Sequence, residues 1–288
     1  MVRKFKTVAG ILLAVTAAFL VFAWHEGTVL IEPSNGSIGP PPPDLPVQSI
    51  QFSSSSGATV HGWFVPGQQG KGVIILMHGI RANRTQMTGL AEFLYHAGYS
   101  VLWFDFQAHG ESIGRHITAG HLESLDAAAA VNFAHQKWPD KKIGVIGFSM
   151  GGAAIVLADP PLRVNAMVLE SVYPTIRQAI TDRLESRFGW FGKLGTPFLT
   201  CQLKLRLGFG ADVLCPIKKV SVISVPKFFI AGTMDRDTTT QESKDLFNAA
   251  AEPKQLWLVE GAGHVDLHAF DSKEYERRVL DFFAKNLN

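Results

Sequence analysis

Ile143-Gly144-Val145-Ile146-Gly147-Phe148-Ser149-Met150-Gly151-Gly152 decides how the rest of the chain is read. An apolar, β-branched run ends in Gly-x-Ser-x-Gly, and a small-residue helical pattern, Ala153-Ala154-Ile155-Val156-Leu157, follows at once. That is the sequence form of a strand, a very tight turn and a helix, with a serine at the apex. The turn needs glycines because the backbone folds back with no room for Cβ atoms on either side. The serine is then held strained, its hydroxyl above the sheet edge. The pentapeptide alone is a weak signal, and an ordinary turn serine is the plain alternative. It gains weight only from its context and from partners elsewhere.

The context is a regular alternation. Upstream, residues 47–52 and 58–65 alternate apolar and polar and read as an antiparallel hairpin. Val73-Ile74-Ile75-Leu76-Met77 and Ser100-Val101-Leu102-Trp103-Phe104 are short apolar runs, as in strands buried on both faces of a parallel sheet. Helical patterns over 85–96 and 120–138 separate them. Downstream come strands at 164–170, 227–232 and 254–259, with helices over 240–250 and 271–286. Such alternation predicts an α/β fold with a mostly parallel sheet and helices on both faces. Between 171 and 220 the alternation breaks, and this stretch reads as an inserted, mainly helical cap. In such sheets the working site lies off the carboxyl ends of the strands, where His78, Asp105 and Ser149 all fall.

Length and composition set bounds. With 288 residues, 47% hydrophobic and 18% charged, the chain suffices for one large domain with an insertion. A net charge of +2 without a long basic run gives no support to nucleic-acid binding. Cys201 and Cys215 are too few for a disulfide framework, no spacing resembles a metal site, and one bridge or two free thiols remain open.

The N-terminus has three basic residues, Arg3, Lys4 and Lys6, before an uncharged apolar run over 8–24. Residues 1–24 read as a signal peptide cut after Ala23, as a retained signal anchor, or as an N-terminal helix packed on the domain. In the first two cases the rest of the chain is exported, or membrane-anchored on the non-cytoplasmic side. Residues 25–46, with Pro40 to Pro43 in a row, read as a stiff linker to a domain over 47–288.

A serine hydroxyl needs a base. His264 follows a strand and a Gly-x-Gly turn that can carry an imidazole back over the sheet, and Asp235 lies just past another strand end. Asp237 rivals Asp235, and His268 rivals His264. His78, His109 and Asp105 read as loop organisers. Arg81 suits an anionic substrate group or a surface ion pair. Trp190, Phe191 and Phe198 suit an acyl pocket or cap packing.

Taken together, Gly147–Gly151, His78-Gly79, Asp105 with His109-Gly110-Glu111-Ser112, Gly232-Thr233-Met234-Asp235 and Gly263-His264 resemble the α/β-hydrolase superfamily. The likeness is to its serine esterases, monoacylglycerol-lipase-like or dienelactone-hydrolase-like. The resemblance covers about residues 47–288 outside the cap and implies an eight-stranded sheet. It also implies Ser149 as nucleophile, Asp235 as acid, His264 as base, and an oxyanion hole from the backbone N–H groups of Ile80 and Met150. The implied reaction is ester hydrolysis through an acyl-enzyme, without a metal or organic cofactor, on a small-molecule ester. Peptidase, amidase or thioesterase chemistry would use the same residues, and a non-catalytic binding protein would share the fold.

Overall fold

A computed structural model describes residues 2–287; Met1 and Asn288, which close the expected segments 1–24 and 47–288, lie outside them. Eight strands form one sheet: β1 (Gln48–Ser53), β2 (Thr59–Val65), β3 (Val73–Met77), β4 (Ser100–Phe104), β5 (Ile143–Phe148), β6 (Ala166–Glu170), β7 (Lys227–Gly232) and β8 (Lys254–Val259). Their order across the sheet is β8-β7-β6-β5-β3-β4-β2-β1. Only β2 runs antiparallel to its neighbours β1 and β4. The chain reverses at the short hairpin between β1 and β2 and again in the loop over 66–72 before β3, whereas every later connection carries a helix.

The parallel strands β3 to β6 are buried along their whole length, which is why their sequences read as unbroken apolar runs. Two apolar layers flank the sheet. One contains α3 (His121–Lys137) and α4 (Met150–Leu157), with Ala127, Ala130 and Val131 against Ile75 and Val145. The other contains α2 (Thr88–His96) and the last helix, Ser272–Leu287, whose Tyr275, Val279 and Phe283 cover Ile74, Ile146 and Val168.

Between β6 and β7 the chain forms α5 (Ile176–Phe188), a 3-10 stretch over Gly189–Gly195, and α6 (Thr196–Leu207). This helical cap lies over the carboxyl edge of the sheet.

At the N-terminus, α1 runs from Val2 to Ile31. The stretch expected to open a linker at residue 25 is therefore still helical, and the extended chain starts only after Ile31. The sequence reading stopped at Trp24 because His25, Glu26 and Thr28 interrupt the apolar run. The helix continues because its end is held from outside: Arg81 Nη1 donates to the carbonyls of Val29 at 2.7 Å and Glu32 at 3.3 Å. A guanidinium at a helix C-terminus meets carbonyls that have no intrahelical donor and the negative end of the helix dipole. Residues Ala9–Ile31 are long and apolar enough to cross a membrane.

Candidate functional site

The turn after β5 is built as its glycines require. A Cβ on Gly147 would lie 2.6 Å from the backbone of Gly151 and Gly152, and one on Gly151 would lie 2.3 Å from the Met77 carbonyl oxygen. Strand, turn and helix therefore approach more closely than side chains permit. Ser149 sits at φ 51°, ψ −114°, outside the comfortable regions for an L-residue. Its N–H donates to the Glu170 carbonyl on the neighbouring strand at 2.8 Å, which fixes the strained residue from behind.

Two loops from adjacent strands bring the imidazole to this hydroxyl. After β7 and β8 they are tied together: Thr233 N–H donates to Val259 O at 3.0 Å and Met234 N–H to Ala262 O at 2.8 Å. Gly232 permits the crossing, since a Cβ there would be 2.2 Å from Ala262 O. The result is a continuous hydrogen-bonded chain. His264 Nε2 lies 3.1 Å from Ser149 Oγ, and His264 Nδ1 lies 2.8 Å from Asp235 Oδ2. The other oxygen, Asp235 Oδ1, accepts the N–H groups of Asp237 and Thr238, each at 2.9 Å. The carboxylate is buried while the imidazole keeps one exposed edge. A carboxylate only accepts, so the imidazole donates through Nδ1 and leaves its Nε2 lone pair for the serine proton. That arrangement can raise the nucleophilicity of a hydroxyl.

Of the rival residues, Asp237 gives Asp235 its backbone N–H, and His268 pairs with Glu276 at 2.9 Å and stacks on Phe93.

The loop carrying Ile80 is organised by two histidines in the same manner. His78 Nδ1 donates to Gly79 O at 2.7 Å while its Nε2 accepts Phe106 N–H at 3.1 Å. His109 Nδ1 donates to Gln107 O and its Nε2 accepts Arg81 N–H at 3.0 Å. Burial, with the neighbouring His109, lowers the His78 pKa to about 3, so this ring is neutral at ordinary pH. Beneath them Asp105 accepts from Arg84 N at 2.7 Å, Arg84 Nη1 at 2.6 Å and Glu111 N at 2.9 Å. Arg84 also pairs with Glu111 and lies over the Trp63 ring. Gln86 joins them by accepting Gly79 N–H at 2.8 Å. Sequence reasoning missed Gln86 and Arg84; only a tertiary contact links them to the loop.

Ser149 and His264 open into a cavity of about 330 Å³, with Ile80 and Met150 on the same wall, at the lower end of the range of ~300–1,000 Å³ usual for ligand sites. Its remaining lining is mostly apolar and comes from α5 and α6, through Ile180, Leu184, Leu199 and Leu203, and from Tyr173. Four residues of α1 also line it: Glu26, Gly27, Leu30 and Ile31.

Two substrate-contact expectations change here. Trp190, Phe191 and Phe198 are not among the lining residues. Trp190 and Phe191, on the 3-10 stretch, lie exposed on the outer face of the cap, and Phe198, on α6, packs edge-on against Phe19 of α1, while α5 and α6 supply aliphatic residues inward. Arg81 does reach the cavity wall, but its guanidinium is occupied by the α1 carbonyls rather than by a surface carboxylate.

Comparison with known proteins narrows the fold. A family model described as serine aminopeptidase, S33, matches residues 68–205, which includes Ser149 and ends before Asp235 and His264. The esterase Pf2001 of Pyrococcus furiosus superposes with a TM-score of 0.74 at 24% identity, over 89% of this chain and all of that one. The chain has the α/β-hydrolase fold. The chain is also similar, over nearly their whole length, to the uncharacterised proteins YfhR of Escherichia coli (25% identical, 89% of this chain and 86% of that protein) and Rv2307c of Mycobacterium tuberculosis (26%, 92% and 90%). The similarity to these two proteins extends well past residues 68–205.

Proposed function

We propose that the protein is a serine hydrolase that cleaves carboxylic esters of small molecules. The observation that carries this reading is the unbroken chain Ser149–His264–Asp235, ending on a cavity. Ser149 Oγ attacks the ester carbonyl while His264 Nε2 takes its proton. The backbone N–H groups of Met150, at the start of α4, and Ile80 receive the developing oxyanion. Each such donor is worth about 3–4 kcal/mol when removed. His264 then protonates the leaving alcohol, and a water deprotonated by the same nitrogen releases the acid from Ser149. Asp235 holds the imidazole in its tautomer and balances its transient charge. The Pyrococcus esterase superposition supports the choice of ester.

α1 serves in this reading as a retained membrane anchor. Gln202 Nε2 donates to Ala23 O at 2.9 Å and Arg206 Nη2 to Trp24 O at 2.6 Å, which ties both sides of the candidate cut after Ala23 to the cap. Arg3, Lys4 and Lys6 before the apolar run support a catalytic domain on the non-cytoplasmic side.

The test is Ser149→Ala. It should lower turnover of p-nitrophenyl butyrate by about 10⁴-fold or more with an unchanged melting profile and lose labelling by a fluorophosphonate. Wild-type activity in that variant rejects the reading. Faster turnover of an aminoacyl p-nitroanilide than of the ester by the wild type would replace ester by amide.

A further inference from the structure

The outer face of the cap carries large apolar side chains that the cavity does not use. Trp190 is 67% exposed, Phe191 59% and Leu194 62%, with Trp190 and Phe191 stacked at 3.8 Å. Exposed aromatic groups of this size on one short segment call for a partner. α1 says which one. Residues 7–25, between Lys6 and Glu26, hold no Asp, Glu, Lys or Arg. At 1.5 Å per residue they measure ~28 Å, close to the ~30 Å of a hydrocarbon core. The side chains of Ile11, Leu12, Leu13, Val15 and Val21 are exposed along it. The upper hydrocarbon boundary then falls at Trp24–Glu26, where Arg206 lies over the Trp24 ring at 3.8 Å and Arg187 meets Glu26 at 3.5 Å.

Contacts between α1 and the cap turn this boundary into a depth gauge. Phe198 of the cap meets Phe19 edge-on at 5.0 Å, and Phe188 meets Phe22 at 6.1 Å. Phe19 lies about one and a half turns, or ~7.5 Å along the helix, below Trp24. The cap residues at that level therefore lie below the boundary, at the ~5–10 Å depth typical of interfacial elements. In the other direction along α1, Gly27, Leu30 and Ile31 line the cavity just above the boundary. A Cβ on Gly27 would be 2.2 Å from Gln202 Oε1, so the two helices cross closely at the cavity wall.

We infer that the outer face of the cap, centred on Trp190, Phe191 and Leu194, docks into the same bilayer leaflet that α1 enters. The cavity mouth then stands at the head-group level, with the anchor helix as one wall. Resting on the hydrolase reading above, this makes the substrate an ester whose acyl chain resides in the bilayer and slides into the cavity without crossing water.

Full-length protein in phosphatidylcholine vesicles tests it. Lipids brominated near the upper acyl carbons should quench a fluorescence component that the Trp190→Phe variant lacks. Phe191→Asp and Leu194→Asp should lower hydrolysis of vesicle-embedded p-nitrophenyl palmitate at least tenfold and leave soluble p-nitrophenyl butyrate within twofold. An unquenched Trp190, or palmitate turnover within twofold of wild type in both variants, overturns the inference. A wild type that hydrolyses neither ester rejects the hydrolase reading instead, while the quenching still decides the docking.

Discussion

Asp235→Asn is the sharpest perturbation of the site, because its effect follows from which atoms can donate. In the wild type Oδ1 accepts two backbone N–H groups at 2.9 Å and Oδ2 accepts from His264 Nδ1 at 2.8 Å. An asparagine fits the same space but has one acceptor end and one donor end. The two backbone donors of Asp237 and Thr238 claim the amide oxygen, since turning it away would leave both facing an NH2 group. The amide nitrogen then faces His264 and donates, so Nδ1 must accept and the proton moves to Nε2. That proton points at Ser149 Oγ, and the imidazole loses the lone pair it needs as a base. Losses of about 10⁴ in kcat follow from such a tautomer reversal, or about 5 kcal/mol of transition-state stabilisation. Folding stability should change little, because every buried polar group keeps a partner. The assay is kcat for p-nitrophenyl butyrate, with 15N NMR of the histidine ring to read which nitrogen bears the proton. A loss below tenfold, or an Nδ1-protonated ring in the variant, would refute the reasoning.

Three further outcomes follow from the supporting residues. Arg84→Met should lower stability by about 3–5 kcal/mol, read from the urea midpoint, because it leaves the buried Asp105 carboxylate without its guanidinium. Gly151→Ala should cost about 1–3 kcal/mol and most of the activity, since its Cβ would press on the Met77 and His78 carbonyls and push the serine turn outward. Burial raises the Glu170 pKa from 4.5 to about 8, so between those values the folded state holds a proton that the unfolded state has released. This contribution to stability is full below the lower value and is lost as pH rises through the upper one. Glu170→Gln, which still accepts from the Tyr275 hydroxyl, should therefore gain on the wild type in thermal melts as pH is raised from about 5 to 8.

Much of the fold was legible because its signals are local. The buried strands β3 to β6 read as unbroken apolar runs, and the glycines at 147 and 151 announced a turn without room for side chains. The Ser, Asp and His loops were legible too, each sitting immediately after a strand. What escaped were properties fixed between distant segments. The end of α1 could not be read, because the guanidinium that holds its last carbonyls comes from Arg81, far along the chain. By composition Trp190, Phe191 and Phe198 suit an acyl pocket and cap packing equally. The 3-10 stretch turns Trp190 and Phe191 outward, and Phe19 of α1 takes the Phe198 ring. Gln86 and Arg84 gave no signal, since their partners Gly79 and Asp105 are organised by tertiary contacts.

The close crossing at Gly27 divides the N-terminal helix into two halves with different tolerance to change. Its first half, with Ile11, Leu12 and Leu13 exposed, answers only to length and oiliness, and an unrelated apolar helix can take its place. From Ala23 onward its backbone carbonyls are held by Gln202, Arg206 and Arg81. A chimera joined before Phe19 keeps its pocket, whereas one joined after Ile31 receives a stranger's helix end as the wall of its own site.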